Sequence, residues 1–232
     1  MARATVAVAV MAKAPGAGAV KTRLCPPLTP REAAALARGF LRDTIAKVRG
    51  LHGATPAIAY TPDSERALFA RLAPDFALVP QRGTDLGARM RSTLAALLGA
   101  GHRAAIAIGT DTPTLPAAVL ARAVEHIASG DVDVVLGPAA DGGYYLVGVR
   151  ADHAALFAGV PWSTDAVLAI TRHRAAEAGL RCALLPAWFD VDTPDDLARL
   201  RMALADTPDV APATSRFLNR RDACRRRAPA RP

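Results

Sequence analysis

Residues 5–24 read TVAVAVMAKAPGAGAVKTRL. An apolar run over 4–11 has the character of a buried strand. It feeds directly into a loop of small residues that carries Lys13, Lys21 and Arg23. Gly16 and Gly18 permit a sharp turn and a close backbone approach. Successive loop N–H groups can then form a concavity for an anion, with the cations neutralising its charge. A strand followed by such a loop points to an α/β protein that holds a phosphate, and so to a nucleotide as ligand. Two familiar phosphate loops are excluded. The Walker loop needs Gly before its Lys-Thr pair, and here Val20 precedes Lys21-Thr22. The dinucleotide fingerprint needs a third glycine where Lys21 stands.

Working outward, the chain alternates apolar runs with helical stretches. Strands are expected near 4–11, 55–60, 76–79, 103–109, 132–137 and 144–149, with a short one near 187–189. Helices are expected near 30–49, 63–72, 86–99, 116–129, 164–178 and 193–205. Thr29-Pro30-Arg31-Glu32 and Thr193-Pro194-Asp195-Asp196 each offer an N-cap, a proline in the first turn and a capping-box acid. Gly130 and Gly179 are natural helix stops. This alternation implies an α/β fold with a mainly parallel sheet and helices on both faces. The length of 232 residues fits one such domain. We expect it to span 1–205, with a basic, disordered tail over 206–232.

Composition narrows the class. Hydrophobic residues make up 51% of the chain but aromatics only 5%, so the core is built from Ala, Val, Leu and Ile. The net charge of +8 resembles a nucleic-acid signal. From Ser215 onward, however, seven arginines face one acid, Asp222, so the tail carries +6 and the body about +2. A specific nucleic-acid partner is therefore not expected. Cys25, Cys182 and Cys224 lie far apart, and no zinc-type Cys or His spacing occurs. Scattered cysteines and the lack of a membrane-length apolar run imply a cytoplasmic protein. The N-terminal run is short and leads into a charged loop, which favours a strand over a signal peptide. Nothing in the sequence indicates the oligomeric state.

In sheets of this kind, ligands bind beyond the carboxyl ends of the strands. After the strand ending at Ile108 comes Gly109-Thr110-Asp111-Thr112-Pro113. GPAADGGYYLVG follows the strand ending near Leu136. Asp190-Val191-Asp192-Thr193-Pro194 follows Phe189. A hard cation such as Mg²⁺ or Mn²⁺ takes one or two carboxylates plus substrate phosphates, so Asp111 and Asp192 are the candidate metal ligands. The plainer reading of Asp192 is an N-cap, and of Asp111 a turn acid before Pro113. Asp141-Gly142-Gly143 is either part of the site or a hairpin turn. Tyr144 after it has the character of a stacking residue at a pocket mouth. Gln81, with nearby glycines such as Gly87, is a candidate reader of a nucleobase. The candidate catalytic residues are Lys21, Asp111, Asp141 and Asp192. The candidate nucleotide-binding residues are Lys13, Gly16, Lys21, Thr22, Arg23, Gln81, Gly87, Gly142, Gly143 and Tyr144.

Taken in order, AKAPGAGAVKTRL, PQRGTDLGARM, IGTDTPTLP, VLGPAADGGYYLVG and FDVDTPDDL closely resemble the DUF2064 family, also called selenodomain-associated transferase 1. The resemblance runs over residues 5–200 and does not extend to the Arg-rich end. It implies the GT-A, or nucleotide-diphospho-sugar transferase, fold. It also implies glycosyl transfer, in part linked to arsenosugar biosynthesis. The loop and the DVDTP segment are similar to those of the 2-phospho-lactate guanylyltransferases as well. By that likeness Lys21 and Arg23 would hold phosphates, and Asp111 and Asp192 the divalent metal. Sugar nucleotidyltransferases similarly place a Gln and an LG segment at the base, which Gln81 and Gly87 match. The Asp-x-Asp usual in the GT-A fold is absent at Asp111, where one acid stands. The leading expectation is metal-dependent glycosyl transfer from an NDP-sugar to a small acceptor. The alternatives are nucleotidyl transfer from an NTP, releasing pyrophosphate, and a non-catalytic nucleotide-binding protein.

Overall fold

The structure is a computed structural model that describes residues 5–227. Among these, seven strands form one sheet: β1 (Val6–Lys13), β2 (Ala54–Thr61), β3 (Ala77–Pro80), β4 (Ala104–Ile108), β5 (Val134–Pro138), β6 (Tyr144–Val149) and β7 (Cys182–Leu184). Their spatial order is β3-β2-β1-β4-β6-β5-β7. β1 pairs in parallel with β2 and β4, β2 with β3, and β5 with β7. β6 runs antiparallel to both of its neighbours, β4 and β5. The principal helices are α1 (Pro30–Arg49), α2 (Arg66–Leu72), α3 (Leu86–Gly99), α4 (Ala117–Ser129), α5 (Val167–Glu177), α6 (Pro194–Asp206) and α7 (Pro212–Arg227). None is long and apolar enough to cross a membrane, among the described residues.

Two compact units make up this architecture. The first, from Met1–Ala14, Lys47–Gly109 and Pro116–Asp190, contains the sheet. Strand alternation sends successive side chains to opposite faces, and in β1 the two faces differ in volume. Ala9 lies in register between Ala57 of β2 and Ala107 of β4. These three alanines, with Ala7, Ala59 and Ala105, are fully buried. Methyl-only side chains let α3 approach closely, and its Met90, Leu94 and Leu97 supply the bulk that fills the gap. On the other face Val8 pairs with Ile106, and Val10 lies between Ile58 and Ile108. α4 packs against β1, β4 and β6. This alternation of small and branched residues is why a core with few aromatics suffices.

Two elements differ from expectation. The short strand expected near 187–189 is instead β7, at Cys182–Leu184, and the later segment makes only an isolated bridge, Ala139 with Trp188. The helix expected over 63–72 opens as a 3₁₀ turn, Asp63–Glu65, before α2.

The second unit comprises Pro15–Ala46, Thr110–Leu115 and Val191–Pro232. It holds most of α1, together with α6 and α7. Both expected capping boxes form. Thr29 N donates to Glu32 Oε2 at 2.7 Å and Glu32 N to Thr29 Oγ1 at 3.2 Å. Thr193 and Asp196 exchange the same pair of bonds. The expectation of disorder from 206 is overturned as far as the described residues reach. A 3₁₀ turn, Pro208–Val210, leads into the sixteen-residue α7, and Ala211, Thr214 and Leu218 are buried. Residues 228–232 lie outside the described region.

Buried charges hold α7 in place. Asp43, on α1, is 2% exposed. Its carboxylate accepts from Ala213 N at 2.8 Å, Thr214 N at 2.9 Å and Thr214 Oγ1 at 2.6 Å. A carboxylate there satisfies orphan N–H groups and faces the positive end of the helix dipole. Gly39 makes room, because a Cβ there would lie 3.2 Å from the Thr214 backbone. Farther along, Arg221 donates to Glu32 Oε1 and to the Pro27 carbonyl, both at 2.8 Å. Arg201 pairs with Asp222. A composition rich in arginine thus reads as disordered when its partners, 20 to 190 residues away, are out of view.

Asp43→Ala leaves the α7 N-terminus uncapped and should lower the unfolding free energy by about 2 kcal/mol, measured by urea denaturation. Deleting residues 211–232 should lower Tm by more than that single substitution does. Glu32 supplies a pH signature. Its partial burial raises its pKa, but bonds from Thr29 and Arg221 outweigh this and bring it below the ordinary 4.5. A depressed carboxylate stabilises the fold above its unfolded pKa and loses that contribution as pH falls through the folded value. Melting temperature should therefore fall more steeply below pH 4.5 in the wild type than in Glu32→Gln.

Candidate active site

In the second unit the chain after β1 turns at Gly16–Ala19, where Ala19 N donates to Gly16 O at 3.1 Å and Gly18 has φ +75°. The loop then reaches Lys21, a non-glycine residue in the left-handed region at φ 49°, ψ 38°. Few side chains adopt this conformation unless their surroundings enforce it. A 3₁₀ turn, Thr22–Leu24, follows, with Leu24 fully buried. Thr22 and Arg23 are exposed, whereas the Lys21 side chain is only 7% exposed. Its ammonium lies 5.5 Å from the centre of the Phe40 ring on α1.

Two carboxylates meet that ammonium. Lys21 Nζ is 2.7 Å from Asp111 Oδ1 and 2.7 Å from Asp192 Oδ1. Asp111 stands three residues beyond the end of β4. Its carbonyl accepts from Val191 N at 2.9 Å, and Thr110 Oγ1 donates to its Oδ1 at 3.3 Å. Thr112, Thr114 and Leu115 behind it are buried. Asp192 stands two residues before α6, and its N–H donates to Asp196 Oδ2 at 3.1 Å. That oxygen also takes the N–H and hydroxyl of Thr193, at 2.8 and 2.7 Å. Burial pushes the Asp196 pKa up, but these donors outweigh it and keep the carboxyl below its usual range. The capping box of α6 therefore fixes the backbone from which Asp192 projects. Asp192 is not itself the N-cap, which is Thr193.

The electrostatics are those of a half-compensated pair, with two carboxylates and one ammonium. Burial alone would pull the Lys21 pKa down, but the charges of Asp111 and Asp192 and their hydrogen bonds more than reverse this and hold it above 10.5. Among the described residues no group of three or more His, Cys, Asp or Glu side chains could hold a metal by itself. The donor set nevertheless fits a hard cation. Mg²⁺ is commonly held by one or two carboxylates while phosphate and water oxygens complete its shell. Both carboxylates retain 40% or more side-chain exposure.

The remaining candidates belong to the first unit, where most have a structural explanation. Lys13 is the exposed last residue of β1. The Gln81 side-chain amide donates to Ala59 O at 2.7 Å and Ala12 O at 3.3 Å, tying β3's end to its neighbours. Gly87 is the second residue of α3, and a Cβ there would lie 2.1 Å from the Trp162 ring. Gly87 is thus the floor on which Trp162 packs, a contact invisible in the sequence because nothing local pairs Trp162 with α3. Asp141-Gly142-Gly143 is the turn between β5 and β6. Asp141 Oδ1 accepts from Gly143 N at 2.9 Å, and Gly142 has φ +86° with Asp165 O only 2.2 Å from a built Cβ. Tyr144 does not line a mouth. Its ring packs into the cluster beneath the sheet, edge-on to Trp162 with centroids 6.2 Å apart, and burial raises its pKa. Its neighbour Tyr145 donates to Pro186 O at 2.9 Å, with its pKa pushed up by burial to about 12.

The structure therefore brings Lys21, Asp111 and Asp192 together within one unit, with Lys21 on the loop that also bears Gly16, Thr22 and Arg23 and the two acids on separate segments. Comparisons with known proteins place the fold and the family of the chain. By fold the chain stands with the nucleotide-diphospho-sugar transferases. A solved structure from Desulfovibrio desulfuricans G20, provisionally assigned as a nucleotide-diphospho-sugar transferase, is 31% identical, with a TM-score of 0.86 over 94% of this chain and 95% of that one. By family, the chain belongs to the one described as "Uncharacterized protein conserved in bacteria (DUF2064)", whose profile matches residues 44–164. More distant structures share the fold alone. A 4-diphosphocytidyl-2C-methyl-D-erythritol synthase is 14% identical, with a TM-score of 0.55 over 88% of this chain and 100% of that one. An inositol-1-phosphate CTP transferase from T. maritima is 14% identical, with a TM-score of 0.52 over 87% and 96%. No curated protein matches the chain.

The turn reading of 141–143 separates structure from chemistry. Gly142→Ala, with its positive φ and its contact to Asp165, should destabilise by about 2 kcal/mol, read by urea denaturation. Asp141→Asn keeps an acceptor for Gly143 N, so its stability should match the wild type.

Proposed function

We propose that this protein is a metal-dependent glycosyltransferase that moves a sugar from an NDP-sugar to a small acceptor. The observation that carries the reading is the convergence of Asp111 and Asp192 on one cation within 2.7 Å each. Two half-exposed carboxylates with a cation between them have the chemistry of a site for a divalent ion and a phosphate chain. Asp111 and Asp192 would hold Mg²⁺ or Mn²⁺. When bound, the metal neutralises the charge that gathers on a departing diphosphate.

The chain's own residues supply the rest. The glycine turn at 16–19 and exposed Arg23 bind phosphate oxygens, Arg23 through two parallel N–H groups. The acceptor hydroxyl attacks the anomeric carbon and gives up its proton to solvent water, the bond from that carbon to the diphosphate oxygen breaks, and the diphosphate leaves with the electron pair. The likeness to the Desulfovibrio protein supports a sugar donor. Lys21 adds a second argument. With its ammonium taken up by two carboxylates, the loop in this unit presents Arg23 rather than a cluster of cations, which suits a diphosphate better than a triphosphate. Nucleotidyl transfer stands as the second reading because fold relatives such as the inositol-1-phosphate CTP transferase carry that chemistry in their names.

Product analysis tests the reading. A free nucleoside diphosphate is expected from an NDP-sugar and acceptor panel, and pyrophosphate from an NTP would replace it with the second reading. Asp111→Asn and Asp192→Asn should each lower kcat by about a hundredfold or more with Tm within a few degrees of wild type. Retained turnover in both, at saturating Mg²⁺, would remove the metal from the mechanism.

A further inference from the structure

Lys21 is the residue that the loop's sequence marks for phosphate, yet its position argues otherwise. The side chain is 7% exposed while the carboxylates it touches are 44% and 40% exposed. The ammonium is therefore beneath the two acids and not above them. Its backbone is left-handed, φ 49° and ψ 38°, and its ammonium lies 5.5 Å from the centre of the Phe40 ring. Two of its three protons go to Asp111 Oδ1 and Asp192 Oδ1. The third belongs to the same buried group, so carrying the ammonium out to a phosphate beyond the acids would mean abandoning both bonds and leaving two carboxylates facing each other without a counter-charge.

We infer that Lys21 is a positioning residue, an internal counter-ion that holds Asp111 and Asp192 at one spacing with their remaining oxygens turned outward. It occupies the inner side of the pair, so a metal arrives on the outer side without displacing it. The cost is electrostatic. A resident positive charge opposes a divalent ion nearby, so the site trades intrinsic metal affinity for a fixed geometry. This inference rests on the reading of Asp111 and Asp192 as the metal-holding pair, but its core, who holds the carboxylates, can be tested without metal.

The test uses the full-length protein and Lys21→Met, melted in EDTA and titrated with Mn²⁺ alone by electron paramagnetic resonance. In EDTA, Lys21→Met should melt about 5 °C below wild type, because two acids lose their shared partner. Adding Asp111→Asn to Lys21→Met should recover most of that loss by relieving the repulsion. With the local charge changed from −1 to −2, Mn²⁺ should bind Lys21→Met about tenfold more tightly than wild type and raise its Tm more. Arg23→Ala, which removes a phosphate contact, should move neither Tm in EDTA nor Mn²⁺ affinity. An unchanged Tm for Lys21→Met in EDTA, or no recovery in the double variant, overturns the inference. Absence of any bound Mn²⁺ in wild type overturns the metal reading instead, while the EDTA melts still decide the role of Lys21.

Discussion

An ammonium shared by two carboxylates is the interaction around which the second unit is organised. Three stretches of chain that are far apart in sequence meet at Lys21, and each must be held before the charges can meet. The left-handed turn at Lys21 and the buried Leu24 hold the loop, the bond from Val191 to the Asp111 carbonyl joins the two acid segments, and the α6 capping box holds Asp192. A partly buried ion pair is a weak source of net stability, since desolvation offsets much of the attraction. Its value here is geometric, because removing Lys21 would leave two facing carboxylates without their shared counter-charge. A pair of acids kept ready for a cation needs such a counter-charge, or their repulsion would drive them apart.

In the first unit the corresponding constraint is volume. The row Ala57, Ala9 and Ala107 across three adjacent strands leaves no bulk on one face of the sheet. α3 moves into that space with Met90, Leu94 and Leu97. Interiors pack to near-crystalline density, so small residues on one element demand large ones on the facing element. Gly87 under Trp162 repeats the rule at one position. Glycines and a glutamine that look like ligand-reading residues in isolation are thereby accounted for by packing and by backbone hydrogen bonds.

The Arg-rich C-terminal segment shows how composition misleads. Counting charges treats each arginine as solvated, and then ordering entropy has nothing to offset it. Arg221 instead lies in a pocket formed by Glu32 and the Pro27 carbonyl, and the helix start docks on Asp43. Two buried apolar positions, Ala211 and Leu218, seven residues apart, were the apolar signal available in the segment. The charged residues around them masked it.

What the sequence determined by itself is local. Strand and helix alternation, both capping boxes and the two acid-bearing segments after strands all follow from patterns within a few residues, since hydrogen-bond periodicity and capping act over one turn. The residues of the candidate centre were legible too, because acids and cations placed after strands fall where α/β sheets bind ligands. Only the tertiary structure decided their relations: that Lys21 lies under Asp111 and Asp192, that Gln81 bonds the backbone of β1 and β2 and Gly87 packs under Trp162, that the edge strand is 182–184, and that α7 is folded. Each of these depends on a partner from 21 to 194 residues away or on which face of an element is covered. Charge, volume and hydrogen-bond capacity at one position are known from the sequence. Which other position meets them is set by the closure of the whole chain.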